Sequence, residues 1–154
     1  MKRKFGLVIG IVLMAPGAVA LAGTHGRHSA HQAVFFTLNL KKTAVGKILV
    51  NTSGSILYEF TGDDPKKDMC VKINGCASVW MPLPPTGHDT AGPGVKASLI
   101  SSIALPKSFG YRQVTYARHP LYIFLSSPTS TSYVGKREYG HNWDAVSSTG
   151  KPVK

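Results

Sequence analysis

Residues 50–60 read VNTSGSILYEF, residues 114–124 read VTYARHPLYIF, and the two stretches align without a gap. Each begins with Val, passes through a turn-forming stretch and ends in the pattern Leu-Tyr-x-Phe. Aliphatic, β-branched and aromatic residues on both sides of a turn are typical of paired strands. Because internal similarity of this kind indicates a duplicated unit, we predict a mainly β protein whose two halves are related.

Each half also carries one tryptophan at nearly the same distance from its Leu-Tyr-x-Phe pattern. Trp80 lies 20 residues after Phe60, and Trp143 lies 19 residues after Phe124. The matched positions favour two core anchors over a surface for ligand stacking, because large aromatic side chains are usually mostly buried.

Successive side chains of a β-strand point to opposite faces of its sheet. Tyr58 and Phe60 therefore share one face while Leu57 points to the other, and Tyr122 and Phe124 follow the same rule. We predict that these four aromatic side chains form one common apolar layer.

The predicted architecture is a small antiparallel sheet domain, residues 34–154, with short helical turns. It consists of two tandem repeats, at about 41–85 and about 105–150. Strands are expected at 34–40, 48–50, 56–60, 111–116, 121–124 and 143–146, with 48–50 and 56–60 forming one hairpin and 111–116 and 121–124 another. Residues 95–105 fit either a strand or a short helix.

The amino terminus has the pattern of a secretory signal peptide, residues 1–22. A positive cluster, Met1 to Lys4, precedes a short apolar run, and small residues follow a Pro-Gly break. Cleavage after Ala22 fits best, and cleavage after Ala20 is the alternative. The next residues, 23–33, are rich in Gly, His, Ser and Thr and are expected to form a flexible leader.

The chain is strongly basic, with a net charge of +11 over 154 residues. Loss of Lys2, Arg3 and Lys4 with the signal would lower this charge to +8. Nucleic acid is not the expected partner, because an exported protein rarely meets it. Anionic envelope polymers or surfaces are the expected counter-charges of a periplasmic or extracellular protein.

Cys70 and Cys76 are the only two cysteines. An oxidising compartment favours their pairing, and the small loop that they close would pin the segment leading to Trp80. Their spacing is unlike that of zinc or thioredoxin-type motifs, so we predict a disulfide.

At these residues the chain resembles the bacterial secreted-repeat family, whose members are often described as lipoproteins and carry a Tyr-x-(Phe/Trp/Tyr)-x-x-Asp motif. Tyr58, Phe60 and Asp63 match the whole motif, and Tyr122 and Phe124 match its aromatic part. The resemblance covers about residues 41–150. It implies an envelope or secreted location and a tandem β-fold, and it implies no reaction.

The second half departs from the family pattern at three places. Ser127 occupies the position of the motif Asp, Arg118 replaces a usual turn Gly, and His141-Asn142 occupies a position that is normally small. A role that needs two equivalent carboxylates is therefore in doubt.

Catalytic motifs are absent from the sequence, which has 7 acids and no G-x-S-x-G, H-E-x-x-H or phosphate-binding Gly-rich loop. Asp63 and Asp64 precede a proline, so turn chemistry explains them better than catalysis. The sequence favours a non-catalytic protein over an enzyme, and we expect no cofactor.

A metal-handling function is the alternative hypothesis. Cleavage after Ala22 would leave Gly23, Thr24 and His25 at the amino terminus, with four nitrogens that suit square-planar Cu(II) or Ni(II). Cleavage after Ala20 would remove this site, and a plain soluble spacer is the favoured explanation of the leader. The sequence leaves the oligomeric state open.

Overall fold

The computed structural model describes residues 37–85, 90–126 and 135–153. Strands predominate in them, which confirms the predicted mainly β class. In chain order the strands are β1 Thr37–Thr43, β2 Gly46–Val50, β3 Tyr58–Phe60, β4 Trp80–Pro82, β5 Thr90–Ala91, β6 Ile100–Ala104, β7 Arg112–Tyr116, β8 His119–Pro120, β9 Tyr122–Phe124, β10 Lys136–Glu138 and β11 His141–Ala145. The helical segments are α1, Cys76–Val79, and 3₁₀ turns at Cys70–Lys72, Ala97–Leu99 and Lys107–Phe109.

The strands form three sheets. The central sheet has five antiparallel strands in the order β10-β11-β3-β9-β4. A second sheet has the order β2-β1-β5, and a third has the order β6-β7-β8. All these neighbours run antiparallel except β1 and β5, which form a short parallel pair. The described residues lie within one compact unit, Gln32–Lys154.

The first predicted hairpin is present next to its turn but ends earlier than expected. Strand β2 pairs along its length with β1, and it meets the chain after the turn through the bridge Val50 to Ile56 and the hydrogen bond from the Leu57 N–H to the Leu49 carbonyl. Strand β3 instead pairs with β11 and β9. All three residues of β3 are buried, so the strand gains more from a central position between two aromatic strands than from a local hairpin.

The second predicted hairpin is present but shorter than expected. Strand β7 pairs with β8 around a tight turn, and the chain then leaves this sheet to enter the central sheet as β9. Residues 95–105, which fit a strand or a helix, form both in succession: the turn Ala97–Leu99 and then β6.

One face of the central sheet carries the predicted aromatic layer. Tyr58, Phe60, Tyr122 and Phe124 belong to one buried cluster, which also contains both cysteines and both tryptophans. Leu57 and Leu121 belong to a second buried cluster, as the alternation of side chains requires.

The two tryptophans are fully buried and stack on each other, with ring centroids 4.0 Å apart and planes within 5°. Phe60 stacks on Trp143 at 4.3 Å, and Phe124 packs on Trp80 at 4.6 Å. The core therefore contains a continuous row of four rings. Each tryptophan comes from one half of the chain and packs on the phenylalanine of the other half.

Backbone hydrogen bonds repeat in the same way. Two sets of three bonds join equivalent positions: Leu49, Leu57 and Val146 in one, and Val114, Leu121 and Leu83 in the other. The gapless sequence alignment places Leu49 opposite Gln113, whereas the hydrogen-bond pattern places it opposite Val114. The segment between Leu49 and Leu57 is therefore one residue longer than the segment between Val114 and Leu121. The duplication itself stays a prediction, which superposition of the two halves would test.

Candidate functional site

Asp63, the acid of the Tyr-x-Phe-x-x-Asp motif, ties the two halves together. Its Oδ2 accepts a hydrogen bond from the hydroxyl of Tyr122 (2.8 Å), and its Oδ1 accepts one from the backbone N–H of Met69 (2.7 Å). Tyr122 holds the position in the second half that Tyr58 holds in the first, and the two are paired at the centre of the sheet. These contacts give the motif a structural role.

Burial dominates the electrostatics around this contact. It raises the pKa of Asp63 to about 7, although the hydrogen bonds from Met69 and Tyr122 act in the opposite direction. Burial also raises the pKa of Asp68, whose Oδ1 accepts the backbone N–H of Val71 at 3.0 Å. The pKa of Tyr122 is raised far above its usual value, first by burial and then by the two aspartates, so its hydroxyl stays protonated and donates.

A second group of buried acids lies on the other face of the central sheet. Glu59 on β3 stands opposite Asp144 on β11. Burial, then the charges of Asp144 and Asp63, raise the pKa of Glu59 to about 7. His119 Nδ1 lies 3.7 Å from Glu59 Oε2, which is too far for a hydrogen bond. Burial and the neighbouring Arg118 lower the pKa of His119, so at neutral pH the imidazole is uncharged.

Cys70 and Cys76 form the predicted disulfide, with Cα atoms 5.4 Å apart. Both are fully buried in the aromatic cluster. The bridge closes the segment that leads through α1 into β4, the strand that begins with Trp80.

The hypothetical metal ligands Gly23, Thr24 and His25 lie outside the described residues. Within residues 37–85, 90–126 and 135–153, no three His, Cys, Asp or Glu side chains are grouped so that they could hold a metal ion.

A cavity of about 310 Å³ lies beside the two long strands of the third sheet, β6 and β7. Its charged residues are both cations, Lys66 and Arg118. Hydroxyl groups and aliphatic side chains supply the rest of the lining: Ser98, Ser101, Ser102, Thr115, Leu99, Ile103 and Ala117. We call this the first cavity. An Arg fork, a Lys point charge and several hydroxyls are the donors that recognise oxyanions in proteins.

Both cations of the first cavity stand on left-handed backbone. Lys66 has φ 65°, Arg118 has φ 73°, and Ala117 before it has φ 49°. The backbone N–H of Lys66 donates to the carbonyl of Arg118 (3.0 Å), which holds the two residues side by side. A tight hairpin turn with two positive φ angles normally carries Asn-Gly, and a side chain in this conformation costs on the order of 1 kcal/mol.

A second cavity, of about 340 Å³, is shallow and broadly open to solvent, and it lies at the far end of β6 and β7. The charged residues of its described lining are again both cations, Lys107 and Arg112. Ala104, Leu105, Pro106, Gly110 and Tyr111 complete the lining. Among the described residues, no acid lines either cavity. Of the buried carboxyls, Asp68 acts on the second cavity, because its charge, after burial, raises the pKa of the Tyr111 hydroxyl.

The sequence does not connect Lys66 with Arg118, because cations dispersed in ones and twos are typical of solvated surface. One signal was present, because Arg118 stands where the family pattern has a turn Gly. The fold brings the two cations together from opposite halves of the chain.

No helix among the described segments has the length and apolar character needed to cross a membrane. Comparison with family models, with curated proteins and with solved structures found no match to this chain. The resemblance to the bacterial secreted-repeat family therefore stays a prediction, carried by the motif residues alone.

Proposed function

We propose that this protein is an exported, non-catalytic envelope or secreted protein that binds anionic surface polymers. The observation that carries the proposal is the first cavity, whose described lining contains Lys66, Arg118, four hydroxyl side chains and no acid. A recess that offers only positive charge and neutral donors favours an oxyanion over a cation or an apolar ligand.

The charge of the whole chain supports the same partner. A net charge of +11, or +8 without the signal residues, attracts anionic polymers over distances longer than a direct contact. The amino-terminal pattern of positive cluster, apolar run and small residues would deliver the protein to the compartment where envelope polymers are found.

The backbone of the first cavity supplies an independent argument. Glycine would relieve the left-handed conformation at residues 66 and 118, yet both positions carry the longest cationic side chains. Unfavourable backbone conformations of this kind are concentrated at functional sites. Retaining Lys66 and Arg118 at some cost in stability is consistent with a binding role for their side chains.

The size of the cavity limits what it holds. A volume of about 310 Å³ is at the lower end of the range for small-molecule sites, roughly 300–1,000 Å³. It suits one anionic group with its adjoining carbon atoms, which would contact Leu99, Ile103 and Ala117. The ligand is therefore recognised one charged group at a time.

Replacing Arg118 or Lys66 with Gly should weaken anion binding without weakening the fold. On a phosphocellulose matrix we expect Arg118→Gly and Lys66→Gly each to elute at lower NaCl concentration than wild type. The free energy of unfolding should stay within about 1 kcal/mol of wild type, because relief of the left-handed backbone offsets the flexibility of Gly. Retention profiles and urea unfolding of the same samples measure both effects.

The matched control is the double variant Lys41→Ala/Lys42→Ala, which removes two exposed cations on β1. Its retention should exceed that of Lys66→Gly/Arg118→Gly, although both doubles lower the net charge equally. Equal retention of the two double variants would mean that the cations of the first cavity bind the matrix no better than other surface cations. This result would refute the proposal.

A further inference from the structure

We propose that the two cavities on β6 and β7 form one continuous binding track for a linear polymer with anionic groups repeated along its length. This inference rests on the proposed function and specifies its ligand. The first cavity would hold one anionic group, and the second cavity would hold another group of the same chain.

The two cavities adjoin where Arg112 contacts Ser102. Ser102 lines the first cavity and Arg112 lines the second. The guanidinium of Arg112 donates from Nε to Ser102 Oγ and from Nη2 to the Ser102 carbonyl oxygen, both at 2.9 Å. A cation of the second cavity therefore lies directly on a wall of the first.

The strands set the length of the track. The first cavity contacts β6 at Ser101 and the second extends to Leu105, which follows the strand. Four residues of extended strand span about 13 Å, at roughly 3.3 Å per residue. A small anion cannot occupy both ends of such a span, whereas an extended polymer can.

The charge pattern along the track is uniform. In the part of the chain that the structure describes, each cavity is lined by one Lys and one Arg and by no acid. A ligand with a single charged group would gain from one cavity alone. A chain with repeated charges would gain from both, because binding at the first cavity raises the local concentration of its other charges at the second.

A polymer fits the observations better than a lipid surface. Proteins that lie on membranes insert apolar side chains between the headgroups. In the described segments the exposed large hydrophobic side chains are Val45 and Leu125, and neither lines a cavity. The cations of the track lie in recesses, where a narrow chain can reach them.

The test compares orthophosphate, tripolyphosphate and long-chain polyphosphate by isothermal titration at fixed salt. We expect wild type to bind long-chain polyphosphate at least tenfold more tightly than tripolyphosphate, and orthophosphate most weakly. Lys66→Ala/Arg118→Ala and Lys107→Ala/Arg112→Ala should each remove most of the gain from chain length. The control Lys41→Ala/Lys42→Ala should keep it.

A long polyphosphate offers many equivalent segments, and this alone raises its apparent affinity for a single cavity. The variants that lack one cavity keep this statistical gain, so any further loss of affinity measures binding to both cavities at once. Because Arg112 also bonds to Ser102, Lys107→Ala alone serves as a second variant if the double variant does not fold. Binding of wild type to vesicles that contain anionic lipids is measured under the same conditions for comparison.

The outcomes distinguish the two proposals. If the variants of the second cavity keep the full gain from chain length while Lys66→Ala/Arg118→Ala weakens binding, the track is refuted and the proposed function stands. Stronger binding to anionic vesicles than to long-chain polyphosphate would also overturn the track. If no polyphosphate binds at any length, or if Lys66→Ala/Arg118→Ala binds like the Lys41/Lys42 control, the proposed function itself fails.

Discussion

Replacing Trp143 with Ala should lower the free energy of unfolding by about 3–5 kcal/mol. Trp143 is fully buried and lies between Phe60 and the indole of Trp80, with Tyr122 packed edge-on against it at 5.0 Å. Its removal opens a cavity between the two halves of the aromatic row, which rigid strands on both sides cannot close. Urea unfolding followed by circular dichroism measures the change.

Leu125→Ala is the control, because this side chain is 45% exposed and its truncation should cost little. Trp80→Ala should be as severe as Trp143→Ala, since its indole N–H also donates to Glu138 Oε2 at 2.7 Å. The effects of the two tryptophan variants should not be additive, because the rings contact each other. A Trp143→Ala protein that unfolds at the wild-type urea concentration would place this side chain outside the stabilising core.

The protein should be more stable at pH 4.5 than at pH 7.5. Glu59 has its pKa raised from 4.5 to about 7, so the folded state holds a proton that the unfolded state has already released. Stability from the protonated carboxyl is complete below about pH 4.5 and is lost as the pH rises through about 7. Asp63, with a pKa also raised to about 7, acts in the same direction.

Glu59→Gln should therefore stabilise the fold at pH 7.5, by up to about 3 kcal/mol, and flatten the dependence on pH. The amide keeps the shape of the protonated carboxyl and cannot ionise. Asp64→Asn is the control, because the Asp64 side chain is 66% exposed. Its replacement should not change how steeply the free energy of unfolding depends on pH. Equal slopes for wild type and Glu59→Gln between these two pH values would contradict the buried, partly protonated state of Glu59.

The aromatic core could be predicted from the sequence because it follows from local rules. Alternation along a strand assigns Tyr58 and Phe60 to one face, and the spacing of Trp80 and Trp143 marks one large anchor in each half. These features need only the residues near each strand. The pairing of β3 with β9 and β11 could not be predicted in the same way, because these partners lie far away in the sequence. Their aromatic side chains complete the row.

The buried acids were not predictable either. Glu59 lies between two aromatic residues of a short strand, where alternation indicates only that it faces away from them. Glutamate is rarely fully buried, so the sequence alone favours an exposed position. Its neighbours come from distant parts of the chain: Asp144 on the paired strand β11 stands opposite Glu59, and His119 of β8 lies 3.7 Å from its carboxylate.

The candidate site depends on tertiary structure still more strongly. Lys66 follows the motif in the first half of the chain, and Arg118 stands in the hairpin turn of the second half. Only the folded backbone joins them, through the bond from the Lys66 N–H to the Arg118 carbonyl. A dispersed set of cations in the sequence thus becomes a surface with two cationic cavities on one pair of strands.

The most direct test of anion binding at these cavities is a titration of isotope-labelled protein with long-chain polyphosphate, followed by backbone amide NMR. The account predicts that the largest shift changes occur at residues 98–103, 115–118 and Lys66, followed by residues 104–112. Amides on β1 and β2, near Lys41, Lys42 and Lys47, should change little. Shift changes that are largest on β1 and β2, or spread evenly over all basic residues, would contradict the account.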